Sequence, residues 1–208
     1  EVFIADLTTG MAHTGIKAGI IKTATNAGHV TEQEEKAHRA AATAQVATGA
    51  PIITHTDEHG PMGLAQLDLF ESCGMQPNRA AIGHSCGNGN IPYLLGVLDR
   101  GAWLSFDRFG FGISASDDIR VASLLGLIGL GHANRLMLGH DSVCTILSRG
   151  FGRSPEILEA LKNWNPTHII KNILPRLRDA GVSQADIDLM TIENPRRYFE
   201  GSGFAPVR

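Results

Sequence analysis

The amino-acid sequence predicts an α/β chain built on a parallel sheet. Three observations carry that expectation. Short apolar runs alternate with longer helical stretches, the helical stretches carry recognisable start and stop signals, and polar residues recur late in each apolar run.

The first run is "AGIIKTAT", almost wholly apolar and suited to a strand buried on both faces, except that Lys22 sits inside it. A buried, unpartnered ammonium is costly. Lys22 must therefore be exposed at a strand end, paired, depressed in pKa or chemically modified. The helix predicted next lies between Thr31, which with Glu34 has capping-box spacing, and Gly49, a C-terminal stop.

"APIITHT" is the second strand. "MGLAQLDLFESCG" follows as a helix with Leu64, Leu67 and Phe70 on one face and Gly74 at its end. "RAAIGHS" is the third strand, and "IPYLLGVLDRG" a shorter helix ending at Gly101. "AWLSFDRFG" is the fourth strand, and "SDDIRVASLLGLIGLG" a helix with acidic residues in its first turn. "RLMLGHD" is the fifth strand, and "SPEILEALKNW" a helix with Ser154 as N-cap and Pro155 as its first residue.

Such alternation argues for right-handed crossovers in a sheet that is either doubly wound or closed as a barrel. After residue 164 the pattern is helical only, with Pro175 expected to kink "PTHIIKNILPRLRDAG". Residues 1–208 read as a single domain, with βα units over about 15–164 and a helical cover over 165–208.

Composition narrows the function. The 208 residues are 43% hydrophobic and 19% charged, with a formal net charge of -3 and no basic stripe, so nucleic acid and anionic membrane are not expected partners. No apolar run approaches the roughly 20 residues of a membrane span, and the N-terminus lacks signal-peptide order, so a cytoplasmic location is expected. Cys73, Cys86 and Cys144 are odd in number and widely spaced, which argues against a disulfide framework or thiolate zinc site; each reads as a small semi-buried residue.

The polar residues late in the runs are Lys22, His55, His84, Arg108 and Asp141. In a barrel these positions converge on one rim; in a doubly wound sheet they line the crevice at the carboxyl ends. Imidazoles and carboxylates there suit zinc, manganese, iron or cobalt. Singly, each has a structural reading: a hydrogen-bonded histidine, an Asp141 N-cap, an Arg108 paired with Asp107 or another rim acid, a snorkelling Lys22. Recurrence at the same end of successive strands favours the functional one. His13, His29, His38, His59, His132, His140 and His168 read as surface residues, although His59 and His140 lie near the rim.

The segments "GIKAGIIKTAT", "TGAPIITHT", "IGHS", "DRFG" and "LGHDS", with the tail "ILPRLRDAGVSQADIDLMTIENPRRYF", resemble in order the phosphotriesterase family of the amidohydrolase superfamily, including its lactonase-like members. The resemblance implies a (β/α)8 TIM barrel with two divalent metals, zinc foremost, bridged by a carboxylated lysine and a hydroxide that attacks lactones or organophosphotriesters. Lys22 matches the carboxylated bridging lysine, His55 and His84 the ligands of the more exposed metal, and Asp141 the ligand of the buried metal that also orients the hydroxide and takes its proton. Arg108 resembles the arginine beside the substrate pocket, although Phe109 replaces the tyrosine of the lactonase-like Asp-Arg-Tyr-Gly segment.

The family's first-strand His-x-His pair does not occur in this sequence, which matches from about the fourth strand onward. A homodimer, or association with the missing N-terminal barrel segment, is expected. Two other readings remain at this stage: a Schiff-base Lys22 in an aldolase-like barrel, and a barrel portion that is inactive without its complement.

Overall fold

The computed structural model describes residues 1–26, 28–143 and 154–201. Strands β1 (Ile21–Ala24), β2 (Ile52–His55), β3 (Ala80–Ile82), β4 (Trp103–Phe106) and β5 (Leu136–Leu138) form one parallel sheet in chain order. Between them run α2 (Glu32–Thr48), α3 (Met62–Ser72), α4 (Ile91–Asp99) and α5 (Asp117–Gly129); α1 (Val2–Thr8) precedes the sheet. After β5 come α6 (Pro155–Leu161), α7 (Leu174–Asp179), α8 (Gln184–Asp188) and α9 (Asn194–Glu200). Every strand candidate forms, so the alternation predicted from sequence is present.

The predicted helix ends also appear. Thr31 and Glu34 complete a reciprocal capping box at the start of α2, and Gly49 closes it with φ 75°. The Ser154 side chain accepts from the Ile157 N–H to cap α6. Pro175 sits in the first turn of α7, directly after a π turn at Ile169–Ile173. A proline has no N–H and its ring crowds the carbonyl four residues back, so the chain widens there instead of continuing as a regular helix. Pro195 in α9 follows a second π turn, Leu189–Glu193, in the same way.

The sheet has two differently used faces. One packs beneath the helices, where Ile52, Leu67, Phe70, Ile82, Leu94, Leu104 and Leu136 are buried in the main core. Burying a side chain of that size contributes about 1.5–3 kcal/mol. The other face follows from the register Lys22↔Ile53, Ile53↔Ala81, Ala81↔Trp103 and Ser105↔Met137. Ala81, Trp103 and Met137 form a smaller cluster there with Tyr198 of α9, whose hydroxyl donates to the Ile52 carbonyl at 2.5 Å. Because Ala24 pairs with His55 two residues further on, Lys22 and His55 share this second face.

Two expectations about burial need correction. His38 and His168 are interior residues, at 0% and 3% exposure, not surface ones. His38 stacks on Phe70, and its Nδ1 lies 2.7 Å from the Glu34 carbonyl. His168 Nε2 lies 2.7 Å from Asp117 Oδ2, with Asn172 on its other nitrogen. Cys86 is fully buried and Cys73 half-buried, whereas Cys144 lies outside the described residues. Among the described residues no helix is long and apolar enough to cross a membrane.

Close approach of β2 to the end of β3 depends on Gly83. A Cβ at that position would stand 2.0 Å from the Thr54 carbonyl oxygen, which is backbone and has no rotamer to yield. Gly83→Ala is therefore expected to destabilise the fold by about 3 kcal/mol, the upper end for overpacking, in urea titration; an unchanged midpoint would contradict this contact.

Candidate functional site

The candidate residues gather at the carboxyl ends of the strands, with one refinement of their placement. His55 is the last residue of β2, but Lys22 is the second of four in β1. His84, Arg108 and Asp141 lie two or three residues beyond β3, β4 and β5. The ladders stop early because the backbone turns: His84 and Asp141 adopt positive φ, 60° and 44°, a conformation that non-glycine residues rarely hold without support.

Asp107 supplies that support for His84. Its Oδ1 accepts from the His84 backbone N–H at 3.0 Å and lies 2.9 Å from His84 Nδ1. On the far side of the ring from the carboxylate, His84 Nε2 faces His55, whose Nδ1 is 2.9 Å away. Burial would raise the Asp107 carboxyl, but the hydrogen bond and charge of His84, with Ser105 and Lys22, outweigh it and hold the carboxyl below its usual range.

His55 is pushed down to about 4, first by burial and then by the neighbouring charges of His84, Arg108 and Lys22. The Lys22 side chain is exposed as a whole, but its ammonium end is partly buried, and Nζ donates to the Thr54 carbonyl at 3.2 Å. Burial lowers its pKa against the opposing pull of Asp107 and Asp141.

Arg108 joins the remaining groups. Its Nε donates to Asp141 Oδ2 and its Nη1 to Glu58 Oε1, both at 3.0 Å, and its guanidinium lies 5.2 Å from the centre of the Phe111 ring. Asp141 Oδ2 is also 3.8 Å from His84 Nδ1. A cleft of about 190 Å³ opens beside these groups, lined by Asn26, His55, Asp57, His59, Arg108 and Ser114 among others. Phe109 is buried in the main core, so the residue that departs from the lactonase-like pattern is not part of the cleft.

Sequence reasoning missed Asp107 as the partner of His84 and missed Glu58 altogether. Asp107 directly precedes a candidate residue, which was its only signal; Glu58 in "DEHG" looks like any polar loop residue. His59, which was read as a surface residue near the rim, is exposed and lines the cleft.

The donors suit a divalent cation in part. Two imidazole nitrogens converge to 2.9 Å, and one ring is oriented from behind by a carboxylate, an arrangement in which a cation replaces the shared proton. Lys22, with its lowered pKa, holds more neutral amine than an ordinary lysine. Among the described residues, however, no three His, Cys, Asp or Glu side chains are drawn together as a ligand group.

Comparison with known proteins identifies the family. A profile of the Phosphotriesterase family matches residues 1–199. The chain belongs to the phosphotriesterase family. It is 37% identical to a phosphotriesterase homology protein of Mycobacterium tuberculosis over 98% of this chain and 61% of that protein. It is 33% identical to an aryldialkylphosphatase of Saccharolobus solfataricus over 96% of this chain and 63% of the other. A crystal structure of a Deinococcus radiodurans PTE-like lactonase variant superposes with a TM-score of 0.90 at 39% identity, covering 95% of this chain and 62% of that one. The chain thus spans about three fifths of these relatives, and its five parallel strands are part of a phosphotriesterase-like TIM barrel.

A depressed histidine has a measurable consequence for the metal-free protein. The unfolded chain protonates His55 near 6.5 and the folded chain only near 4, so the unfolded state binds more protons between those values. Stability is expected to be full above pH 6.5 and to decline as pH falls toward 4. His55→Gln should flatten part of that decline in denaturant titrations; identical slopes for both proteins would contradict the shift.

Proposed function

We propose that this chain supplies the catalytic rim of a metal-dependent hydrolase that cleaves ester bonds, in lactones or organophosphotriesters. The supporting observation is the convergence of His55 and His84, the latter held by Asp107, on the same sheet face as a lysine with a depressed pKa. Family membership and the aryldialkylphosphatase and lactonase relatives support the same reaction class.

His55 and His84 would hold one divalent cation; Lys22 and Asp141 would contribute to a second, with zinc the leading identity and manganese, cobalt or iron alternatives. Carbon dioxide adds to the neutral Lys22 amine, forming the N–C bond of a carbamate and releasing a proton. A cationic side chain thereby becomes an anionic oxygen donor. When bound, divalent cations lower the pKa of water and polarise a carbonyl or phosphoryl oxygen.

Asp141 orients the attacking water and accepts its proton, while Arg108, tied to Asp141 on one side, steadies the substrate oxygen that gains charge. The enclosing low-dielectric rim makes each of these charges count for more than in bulk water. The remaining N-terminal barrel strands would complete the enclosure.

Two measurements test the reading. In the protein carrying this chain, Lys22→Ala should abolish hydrolysis of an aryl dialkyl phosphate or a lactone, and added short carboxylates should restore part of it by replacing the carbamate. Activity insensitive to chelators, with a substrate trapped on Lys22 by borohydride, would instead identify Schiff-base chemistry. Separately, Asp107→Asn removes the orienting charge behind His84 and should lower divalent-metal affinity about 10–100-fold in chelator competition. Unaltered affinity would exclude His84 from the metal site.

A further inference from the structure

We propose that Glu58, seated on the buried guanidinium of Arg120, is the positioning residue that holds Arg108 at the substrate cleft. The inference rests on the reading above that Arg108 steadies the substrate.

Glu58 belongs to the loop after β2, yet its side chain is only 2% exposed. Both carboxylate oxygens are engaged. Oε1 accepts from Arg108 Nη1 at 3.0 Å; Oε2 accepts from the Ser114 hydroxyl at 2.8 Å and lies 3.1 Å from Arg120 Nη2. Arg120 comes from α5 and has no exposed surface. Its guanidinium also donates to the Phe111 carbonyl and Ser114 Oγ, each at 3.0 Å, and to Cys86 Sγ at 2.8 Å. Cys86 in turn accepts from the Arg108 backbone N–H at 3.3 Å, so the support reaches Arg108 through both its side chain and its main chain.

The seat is also shaped sterically. A Cβ on Gly87 would stand 1.9 Å from Glu58 Oε2, so the residue beside Cys86 must lack a side chain for the carboxylate to lie where it does. An acid and an arginine withdrawn from water at this depth are worth keeping only if their geometry is tightly satisfied, because each alone would be an uncompensated buried charge.

Charge counting shows what the assembly does for the cleft. Arg108 and Arg120 carry two positive charges against the one of Glu58, and Asp141 supplies the second negative charge. Whenever Asp141 is drawn to another cation, Glu58 is the acid that still holds the Arg108 guanidinium, and the Arg120–Glu58–Arg108 row retains one net positive charge beside the cleft. That charge suits a substrate oxygen that becomes more negative during reaction.

A double-mutant cycle on the metal-loaded protein tests this, with an aryl dialkyl phosphate and a lactone as probes. Glu58→Gln should lower kcat/KM about 10-fold, mainly through kcat, with bound metal per chain unchanged. Glu58→Gln combined with Arg108→Gln should be no worse than Arg108→Gln alone, because Glu58 acts through Arg108. Glu58→Asp keeps a charge beside Arg120 but withdraws it from Arg108 by one methylene; it should give an intermediate loss, and it serves as the decisive variant if Glu58→Gln does not fold. Full activity of Glu58→Asp and Glu58→Gln alongside a damaged Arg108→Gln would overturn the inference, as would losses that multiply in the double variant. An Arg108→Gln protein with unchanged kinetics would instead overturn the substrate role given to Arg108, and this inference with it.

Discussion

Asp107 is the constraint on which the rim depends. It places a negative charge at a nearly dry point between the ends of β3, β4 and β5 and spends one oxygen on both the backbone and the ring of His84. That double acceptance holds His84 at φ 60°, a conformation its side chain would otherwise disfavour, and aims Nε2 at His55. The neighbouring chain is shaped to allow it: Gly83 passes the Thr54 carbonyl with no room for a methyl group, and a Cβ at Gly139 would come within 3.2 Å of the Asp107 side chain. Removing the carboxylate would leave a strained turn and an imidazole without its hydrogen bond to Oδ1.

A second buried carboxylate, Glu58, serves Arg108 as Asp107 serves His84. In both cases an interior acid fixes the direction of a side chain, the ring of His84 toward His55 and the guanidinium of Arg108 beside the cleft. Such arrangements demand donors for the buried charges: Glu58 has them on both oxygens, and Asp107 accepts from the backbone and ring of His84 on Oδ1.

Much of this was legible in the sequence, for local physical reasons. Thr31, Glu34 and Gly49 act within a few residues of one another, so the limits of α2 could be read directly. The alternation of apolar runs with helices produced the parallel sheet, and the recurrence of polar residues produced the rim. What sequence could not reveal depends on partners distant in the chain. His38 and His168 were read as exposed because nothing local announces Phe70 or Asp117 beside them. Glu58 has its meaning only through Arg108 and Arg120, 50 and 62 residues later. The exact positions of His84 and Asp141 past their strands depend on positive φ values, which Asp and His adopt more readily than most side chains but which sequence alone does not locate.

The central claim is that the rim of this chain is a metal site in which Lys22 is carboxylated. Anomalous X-ray diffraction from crystals of the zinc-loaded protein tests it most directly. The account predicts anomalous peaks bonded to nitrogens of His55 and His84, with additional density on Lys22 Nζ reaching the metals. Peaks confined to other residues, with the His55–His84 hydrogen bond intact and Lys22 unmodified, would contradict it.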